Sequence, residues 1–533
     1  MAVDAAALPP WIPPMRAALP FALLAMCTAL AACQQTPSAS PAATAEAAPA
    51  AEEIEWRHGD VEDAFADARQ SGKPVLLYWG AVWCPPCNKL KATLFRDPAF
   101  IALTRQYVPV YLDGDQEGAQ ALGEQFGVRG YPTLIVLDPQ RHEITRLAGG
   151  NDSAELTRAL TLAARRRTAV ADVLRVAVVS PQRVSEDDWR ILGDYGWEVD
   201  ASRLAGQRDP AALLGQLAAA APKPALQRRF ALLALATASA DAKAGAPSAA
   251  QRERANTLLT AVLATPAEVR ANRDLLGYQG PALVALAATT TEQRDVLGAQ
   301  LLAALERADA AQDNAADARL SSVATELALF KQQHPHTAVP QALREKAQAR
   351  VAAADAAART AHERQATLSS AAYVLRQAGD DAAAERLLLA ELDRSQTPYY
   401  YMPELAELAE ARGDKDAALD WLRKAYEGAQ GPATRVQWGV LYVDGLVRLR
   451  PADTEAIEQA TTQVIAELDA QPAGYHQRTR QRFERLATTL QAWSRAHHGR
   501  PVLDRLQARM AASCANAAPA AEAGAACGRW LKG

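Results

Sequence analysis

The sequence predicts an α/β domain followed by a long all-α region, and three observations lead to this prediction. Between residues 54 and 166, short apolar runs typical of buried strands alternate with segments of helical spacing. From residue 167 onward, alanine-rich segments with helical spacing dominate, and alanine is a strong helix former. Aromatic residues make up only 6% of the chain, which disfavours a β-sandwich or a β-barrel.

Composition and charge narrow the classes of function. Hydrophobic residues make up 49% and charged residues 22% of the 533 residues, so most of the chain can bury a core. The formal net charge of −4 provides no basic excess to meet phosphates, which argues against nucleic acid as a partner. Six cysteines are too few for a disulfide scaffold, so each of them is interpreted separately.

The N-terminus carries an apolar run over residues 17–32, directly after Arg16. The run is short and interrupted by proline, so it fits the core of a signal peptide better than a bilayer span. It ends in Leu30-Ala31-Ala32-Cys33, which resembles the lipobox of bacterial lipoproteins. The resemblance implies that Cys33 is lipidated and that its acyl chains attach the protein to the membrane. Ordinary secretion, with Cys33 merely near the cleavage site, is the alternative.

These features predict a lipoprotein signal peptide over residues 1–32 and a location at the periplasmic face of the bacterial envelope. Gln34 stands where aspartate retains enteric lipoproteins in the inner membrane, so the resemblance favours the outer membrane. Residues 33–53 are rich in proline and alanine and poor in large apolar side chains, which predicts a flexible linker.

The segment from 54 to 166 alternates strand and helix patterns, which predicts a mixed sheet covered by helices on both faces. The predicted elements are a helix at 61–69, a strand at 75–79, helices at 88–94 and 98–106, a strand at 107–112, a helix at 119–126, strands at 133–137 and 144–147, and a helix at 154–165.

Two motifs lie at strand ends in this segment. Trp83-Cys84-Pro85-Pro86-Cys87 follows the first long strand and opens a helix, and Gly130-Tyr131-Pro132 precedes a later strand. In this order and at this spacing they resemble the active site and the cis-proline loop of the thioredoxin superfamily. The resemblance implies a thioredoxin-like domain over 54–166. Residues 94–100 resemble the secreted thioredoxin domains that include the C-terminal domain of the membrane thiol-disulfide transporter.

The spacing of the two cysteines has a chemical consequence. Cysteines separated by two residues at a helix start can close a small disulfide ring. Cys84 would lie at the N-terminal end, where the helix dipole favours the thiolate and lowers the thiol pKa below ~8.5. Cys84 would then be the attacking nucleophile, and Cys87 would resolve the mixed disulfide. The alternatives are a redox-inert disulfide and half of a metal site. No second cysteine pair lies at zinc-finger spacing, so we expect no metal and no cofactor.

The resemblance also assigns substrate-binding roles. It implies that Pro132 is cis and lies beside Cys84, that the backbone of Tyr131 pairs with an extended substrate, and that Trp83 shields the sulfurs. Plain packing around the loop is the alternative for Trp83 and Tyr131. Tyr78 stands six residues before Cys84, where typical thioredoxins carry a buried carboxylate that helps move the proton of the second cysteine.

The region from 167 to 510 is predicted to be helical, with strand signal only at 175–179. Gly379-Asp380 and Gly413-Asp414 begin two similar segments at an offset of 34 residues, which resembles a tetratricopeptide-like array. Such an array predicts a docking surface for a partner protein, and a helical spacer is the alternative. Cys514 and Cys527 lie in a tail at 511–533, where we expect a structural disulfide.

Together these features predict an envelope thiol-disulfide oxidoreductase that reduces protein disulfides through the dithiol of Cys84 and Cys87. Its partners would be protein thiols and disulfides, an upstream electron donor and the membrane. The alternative is a non-catalytic scaffold or partner-binding lipoprotein that uses the thioredoxin fold and the helical repeats for docking.

Overall fold

The structure of the protein is a computed structural model that describes residues 53–148, 153–240, 247–310, 315–471, 473–518 and 521–532. The predicted signal peptide, the lipidation site Cys33 and almost all of the predicted linker lie outside the described residues. Within the described ranges, no helix is both long enough and apolar enough to cross a membrane.

A five-stranded mixed sheet forms the centre of the N-terminal domain. Its strands are β1 (Arg57–His58), β2 (Val75–Gly80), β3 (Val108–Asp113), β4 (Thr133–Leu137) and β5 (Glu143–Ala148). They lie in the order β1-β3-β2-β4-β5; β3 runs parallel to both β1 and β2, whereas β4 is antiparallel to β2 and β5. The predicted mixed sheet is confirmed. Strand β1 was not predicted, because two residues carry no periodic signal.

Five helices cover this sheet on both faces. They are α1 (Val61–Ser71), α2 (Pro85–Ala92), α3 (Pro98–Thr104), α4 (Ala119–Gln125) and α5 (Ser153–Ala163). The side chains of β2 alternate between two apolar layers, as strand geometry requires. Leu76 and Tyr78 lie in the layer with α2, α3 and α5, whereas Leu77 and Trp79 lie in the layer with α1 and α4. The domain is therefore a thioredoxin-like α/β fold.

The remainder of the described chain is largely helical. Its helices are α6 (Val170–Val179), α7 (Glu186–Asp194), α8 (Trp197–Ala205), α9 (Pro210–Ala220), α10 (Pro224–Ala240), α11 (Ala249–Leu263), α12 (Pro266–Ala271), α13 (Arg273–Ala287), α14 (Thr291–Ala310), α15 (Ala315–Gln333), α16 (Gln341–Ala357), α17 (Ala361–Gln377), α18 (Asp381–Leu392), α19 (Met402–Ala411), α20 (Lys415–Gly428), α21 (Pro432–Leu449), α22 (Thr454–Ala466), α23 (Gln477–His497), α24 (Arg500–Ala517) and α25 (Ala521–Gly528).

The strand signal at 175–179 is wrong, because these residues form the second half of α6. Val173, Leu174 and Ala177 are buried together on one face of that helix. A short apolar run cannot by itself distinguish a buried strand from a buried helix, and packing decides between them. The apolar layer beneath α5 continues directly into the helices that follow, so the sheet and the helical region share one core.

The two repeated segments form equivalent turns between helices. Gly379 and Gly413 have φ angles of 82° and 79°, a left-handed conformation that glycine adopts without cost at a helix end. The aspartate that follows each glycine accepts a hydrogen bond from the third amide of the next helix, as an N-cap does. The repeat in the sequence is thus a repeated helix–turn–helix connection.

Candidate redox site

The Cys-Pro-Pro-Cys motif lies where β2 leads into α2. Cys84 is the N-cap residue of α2 in an extended conformation, and Pro85 and Pro86 fill the first turn, where a missing N–H costs least. The structure joins Cys84 and Cys87 in a disulfide whose Cα atoms are 5.3 Å apart. The main-chain N–H of Cys87 donates a hydrogen bond to the Cys84 Sγ over 3.2 Å. A donor is therefore in place for a sulfur that carries negative charge.

The loop before β4 packs against this disulfide. The Tyr131–Pro132 peptide bond is cis, and Tyr131 and Trp83 contact the small apolar cluster that holds both cysteines. The Tyr131 hydroxyl lies so close to Gly114 that a Cβ atom at that position has no room. The structure thus brings together Trp83, Tyr131, Pro132 and the two cysteines.

Residues of the helical region cover the site. Cys84 is 2% exposed and Cys87 is fully buried. The ring of Tyr400 stacks on Trp83 with 5.9 Å between centroids, and the Gln365 Nε2 donates to the Trp83 carbonyl over 2.8 Å. The Arg478 guanidinium lies over the rings of Trp83 and Tyr131, at 5.1 and 5.3 Å from their centroids.

Asp115 joins the two regions beside Trp83. Its carboxylate accepts the Trp83 indole N–H over 2.9 Å and pairs with Arg478 over 2.7 Å. It also accepts the main-chain N–H of Thr434 over 3.1 Å, at the start of α21. Helix α21 has no side-chain cap of its own, and its N-cap residue Gly431 lies too close to Asp115 to carry a Cβ. A carboxylate of the thioredoxin-like domain therefore caps a helix of the helical region.

A second carboxylate repeats this arrangement at α23. Glu124 accepts the main-chain N–H of Gln477 over 2.8 Å and pairs with Arg480 over 2.9 Å. Burial raises the pKa of Glu124, but the Gln477 amide and the Arg480 and His476 charges outweigh it and hold the pKa below its usual range. Two helix N-termini of the helical region are thus fixed by anionic groups from around α4.

Asn88 carries a further contact directly beside Cys84. The Asn88 Nδ2 donates to the carbonyls of Val82 and Cys84 over 2.7 and 2.9 Å, so its Oδ1 accepts from the Nδ1 of His362 over 2.6 Å. Burial, followed by the charges of Lys91 and Arg96, lowers the pKa of His362. The imidazole is therefore neutral near pH 7 with its proton on Nδ1.

Tyr78 occupies the place of the carboxylate expected from the resemblance. Its side chain is buried among Trp56, Phe95 and Tyr111, and its hydroxyl has no hydrogen-bond partner in the described structure. Burial raises its pKa far above the usual range, so the phenol stays protonated and accepts no proton. Asp113, opposite Gly80 at the end of β3, is a half-buried carboxyl group whose pKa is raised chiefly by desolvation.

The second disulfide lies far along the chain. Cys514 of α24 and Cys527 of α25 are joined with their Cα atoms 5.8 Å apart. The Trp530 indole donates to the Phe483 carbonyl over 2.5 Å, and the Gln507 side chain bonds the main chain at Gly528. The residues from 511 onward, expected as a tail, thus continue α24 and fold back on α23.

Sequence reasoning missed Asp115, Gln365, Arg478 and His362. Tyr400 belongs to the run Tyr399-Tyr400-Tyr401, for which the sequence favours packing at a repeat junction over the lining of a groove. The structure divides that run: Tyr399 and Tyr401 are buried in the helical packing, whereas Tyr400 faces Trp83.

A five-stranded α/β domain with a Cys-X-X-Cys disulfide at a helix start and a cis-proline loop beside it defines a thioredoxin-like protein. Residues 61–164 match the family model of the thioredoxin-like domain. The thioredoxin H-type of Brassica oleracea is 31% identical over 98 residues, which cover 18% of this chain and 75% of that protein. The chain belongs to the thioredoxin family.

Larger relatives match over the same domain. Thiol:disulfide interchange protein DsbD 1 of Pseudomonas aeruginosa is 31% identical over 121 residues, which cover 21% of this chain and 20% of that protein. Protein disulfide-isomerase erp38 of Neurospora crassa is 33% identical over 89 residues, covering 16% and 24%. The chain thus spans about a fifth to a quarter of these two proteins. A putative disulphide-isomerase from Bacteroides thetaiotaomicron, known in solution structure, is 25% identical with a TM-score of 0.21, covering 22% of this chain and 99% of that one.

Proposed function

We propose that the protein is a thiol-disulfide oxidoreductase that reduces protein disulfides through Cys84 and Cys87. The observation that carries the proposal is the Cys84–Cys87 disulfide at the start of α2, with the Cys87 amide on the Cys84 Sγ. The names of the relatives, thiol:disulfide interchange protein and protein disulfide-isomerase, are consistent with this chemistry.

The reaction balances as a two-electron exchange. The Cys84 thiolate attacks one sulfur of the substrate disulfide, which forms a mixed disulfide and releases one substrate thiolate. The Cys87 thiolate then attacks the Cys84 Sγ, so the second substrate thiolate leaves and the Cys84–Cys87 disulfide forms. Water protonates the released thiolates. A dithiol of an upstream electron donor returns the pair to the reduced state.

The remaining assignments belong to the same proposal. Trp83, Tyr131 and Pro132 would bind substrate, and Cys514 with Cys527 would form a structural disulfide. The domain order would be the signal peptide at 1–32, the linker at 33–53, the thioredoxin-like domain at 54–166, a tetratricopeptide-like helical region at 167–510 and the tail at 511–533. The interchange-protein relatives favour the bacterial envelope, with Cys33 as the lipid attachment site at the outer membrane.

A non-catalytic scaffold is the second candidate, and one observation favours it. The helical region lies on the Trp83 side of the thioredoxin-like domain and leaves Cys84 only 2% exposed. A thioredoxin fold used only for docking would tolerate such a cover.

Insulin reduction with dithiothreitol as electron donor separates the two candidates. We expect turnover by the wild type and none by Cys84→Ser. Cys87→Ser should accumulate mixed disulfides on Cys84 that are released by reductant, and their protein partners can be identified by mass spectrometry. Equal rates for the wild type and Cys84→Ser, or no trapped species, would overturn the redox proposal and leave the scaffold.

A further inference from the structure

Three residues of the helical region pack on Trp83 beside the redox disulfide, and we call the space between the Trp83 ring and the cis-proline loop the groove. Gln365 lies on α17, Tyr400 ends the 3₁₀ turn Pro398–Tyr400, and Arg478 lies in the first turn of α23. We call these three residues the cap face. The three residues are at least 35 positions apart in sequence, yet all three contact Trp83.

The Gln365 side chain is fixed in one orientation. Its Oε1 accepts the hydroxyl groups of Thr397 and Tyr401, each over 3.0 Å, so the amide nitrogen must face the Trp83 carbonyl. The residue is 6% exposed. The contact of Gln365 with Trp83 is therefore fixed by buried hydrogen bonds within the helical region.

Tyr400 is held from two sides. Besides its stack on Trp83, its ring meets Trp438 and Tyr401 edge to face, with centroids 6.1 and 6.0 Å apart. Aromatic pairs at such distances add stability beyond their buried area. The ring thus fills the space over Trp83 as part of a packed aromatic cluster.

Arg478 closes the groove on the side of the cis-proline loop. The residue is 8% exposed. Its guanidinium pairs with Asp115 and lies over the rings of Trp83 and Tyr131. Within the described chain, its Nε and Nη1 have no hydrogen-bond partner. The ion pair and the two rings therefore hold this side chain where a substrate would lie.

The occupied groove has a consequence for substrates. An extended polypeptide that pairs with the backbone at Tyr131 needs open space beside the loop and beside Trp83. The cap face fills that space. A small disulfide needs only a path to the Cys84 sulfur.

We propose that Gln365, Tyr400 and Arg478 are specificity-determining residues of the Cys84–Cys87 site, which select against polypeptide disulfides and in favour of small ones. A polypeptide disulfide reacts only when the cap face moves away from Trp83. This inference rests on the thiol-disulfide exchange of the proposed function and changes its substrate class: small disulfides are preferred, and protein disulfides are reduced more slowly.

The test compares two oxidants on the reduced full-length protein. Insulin represents a polypeptide disulfide and 2-hydroxyethyl disulfide a small one. Each mixture is acid-quenched, and alkylation of the remaining thiols gives the rate of dithiol oxidation. In Tyr400→Ala and in Arg478→Gln we expect the ratio of the insulin rate to the small-disulfide rate to rise about 5-fold, the size of effect that loss of one aromatic or cation–π contact gives. Gln365→Ala should raise the ratio in the same direction.

Matched controls lie on the same helices. Tyr373 of α17 is 50% exposed, and Arg495 of α23 is exposed, and neither contacts the cap face or the disulfide. Tyr373→Ala and Arg495→Gln should keep the wild-type ratio. If Tyr400→Ala does not fold, Tyr400→Leu keeps an apolar group against Trp438 and still removes the stacked ring.

The outcomes separate the two proposals. An unchanged or lowered ratio in both Tyr400→Ala and Arg478→Gln, with oxidation that still depends on Cys84, overturns the specificity proposal alone. If the wild type reacts with neither oxidant, or if Cys84→Ser is oxidised as fast as the wild type, the proposed function itself fails.

Discussion

The two disulfides of the described structure are both buried but lie in contrasting surroundings. Cys84–Cys87 spans 3 residues at the start of a helix and has a main-chain donor on one sulfur. Cys514–Cys527 spans 13 residues and joins two helices inside an apolar cluster with Phe483 and Trp530. Burial therefore does not distinguish the disulfide that we propose to be redox-active from the one that we propose to be structural. The local donor and the origin of the cover do.

The origin of the cover is the sharper difference. Residues some 300 positions away cover the first disulfide through aromatic and polar contacts with Trp83. The second disulfide is covered by the helices that contain it and by α23, so exposing it requires local unfolding. Under the proposed function, access to the first disulfide depends on the cap face, whereas the second disulfide is enclosed by its own helices.

The largest expected effect is on insulin reduction, which should depend on the first disulfide and not on the second. Cys84→Ser should abolish insulin reduction, because no other described cysteine lies at a helix start beside a cis-proline loop. The double variant Cys514→Ala/Cys527→Ala should keep at least half of the wild-type turnover per folded molecule. Turbidity of reduced insulin measures both. Loss of turnover in the double variant would contradict a purely structural role for the Cys514–Cys527 bond.

The next effect is on the free energy of unfolding, which should depend more on the second disulfide than on the first. Removing the Cys514–Cys527 bond frees a loop of 13 residues in the unfolded chain, which costs ~3 kcal/mol of unfolding free energy on the chain-entropy estimate. Removing the Cys84–Cys87 bond, which closes a shorter loop, should cost less. Urea unfolding followed by tryptophan fluorescence compares the two double variants. A larger loss at Cys84–Cys87 would reverse the assigned roles.

Local sequence signals predicted the Cys84–Cys87 site but not the residues that cover it. Cys84, Cys87 and Pro132 lie in short motifs, and β2 and α1 have strong periodic patterns, so the α/β fold and the motif positions were available from the sequence. The contact of Tyr400 with Trp83 depends on how helices hundreds of residues later pack, which no local pattern encodes. Asp115 and Glu124 read as ordinary surface carboxylates until the helix N-termini that they cap are known.

A smaller effect on stability comes from the titration of Glu404, which lies near Tyr400 of the cap face. Burial, opposed by Ser369 and Arg376 and aided by Glu407, raises the pKa of Glu404 to about 7. Because this pKa exceeds the unfolded value of 4.5, the folded state binds more protons between the two values and stability falls as pH rises from 4.5 to 7. Glu404→Gln should remove this slope and stabilise the protein at pH 8 by about 2 kcal/mol, since the amide is neutral but still needs partners.

Urea midpoints between pH 5 and pH 8 measure the effect of Glu404→Gln. Glu407→Gln, on the same helix and 61% exposed, is the control and should keep most of the wild-type slope. A Glu404→Gln variant with the wild-type slope would contradict the assignment.

His362 gives the smallest effect, with the opposite sign. Its pKa is lowered, chiefly by burial and then by Lys91 and Arg96, so the unfolded chain binds more protons as pH falls through the unfolded value near 6.5. The contribution of His362 is fully present above that value and is lost as pH falls through the folded pKa. His362→Gln keeps an N–H donor for Asn88 without the titration, so it should lose less stability than the wild type between pH 7 and pH 5. Urea midpoints of the wild type and of His362→Gln at pH 7 and at pH 5 measure this difference. An equal loss of stability in the two proteins would contradict the assignment.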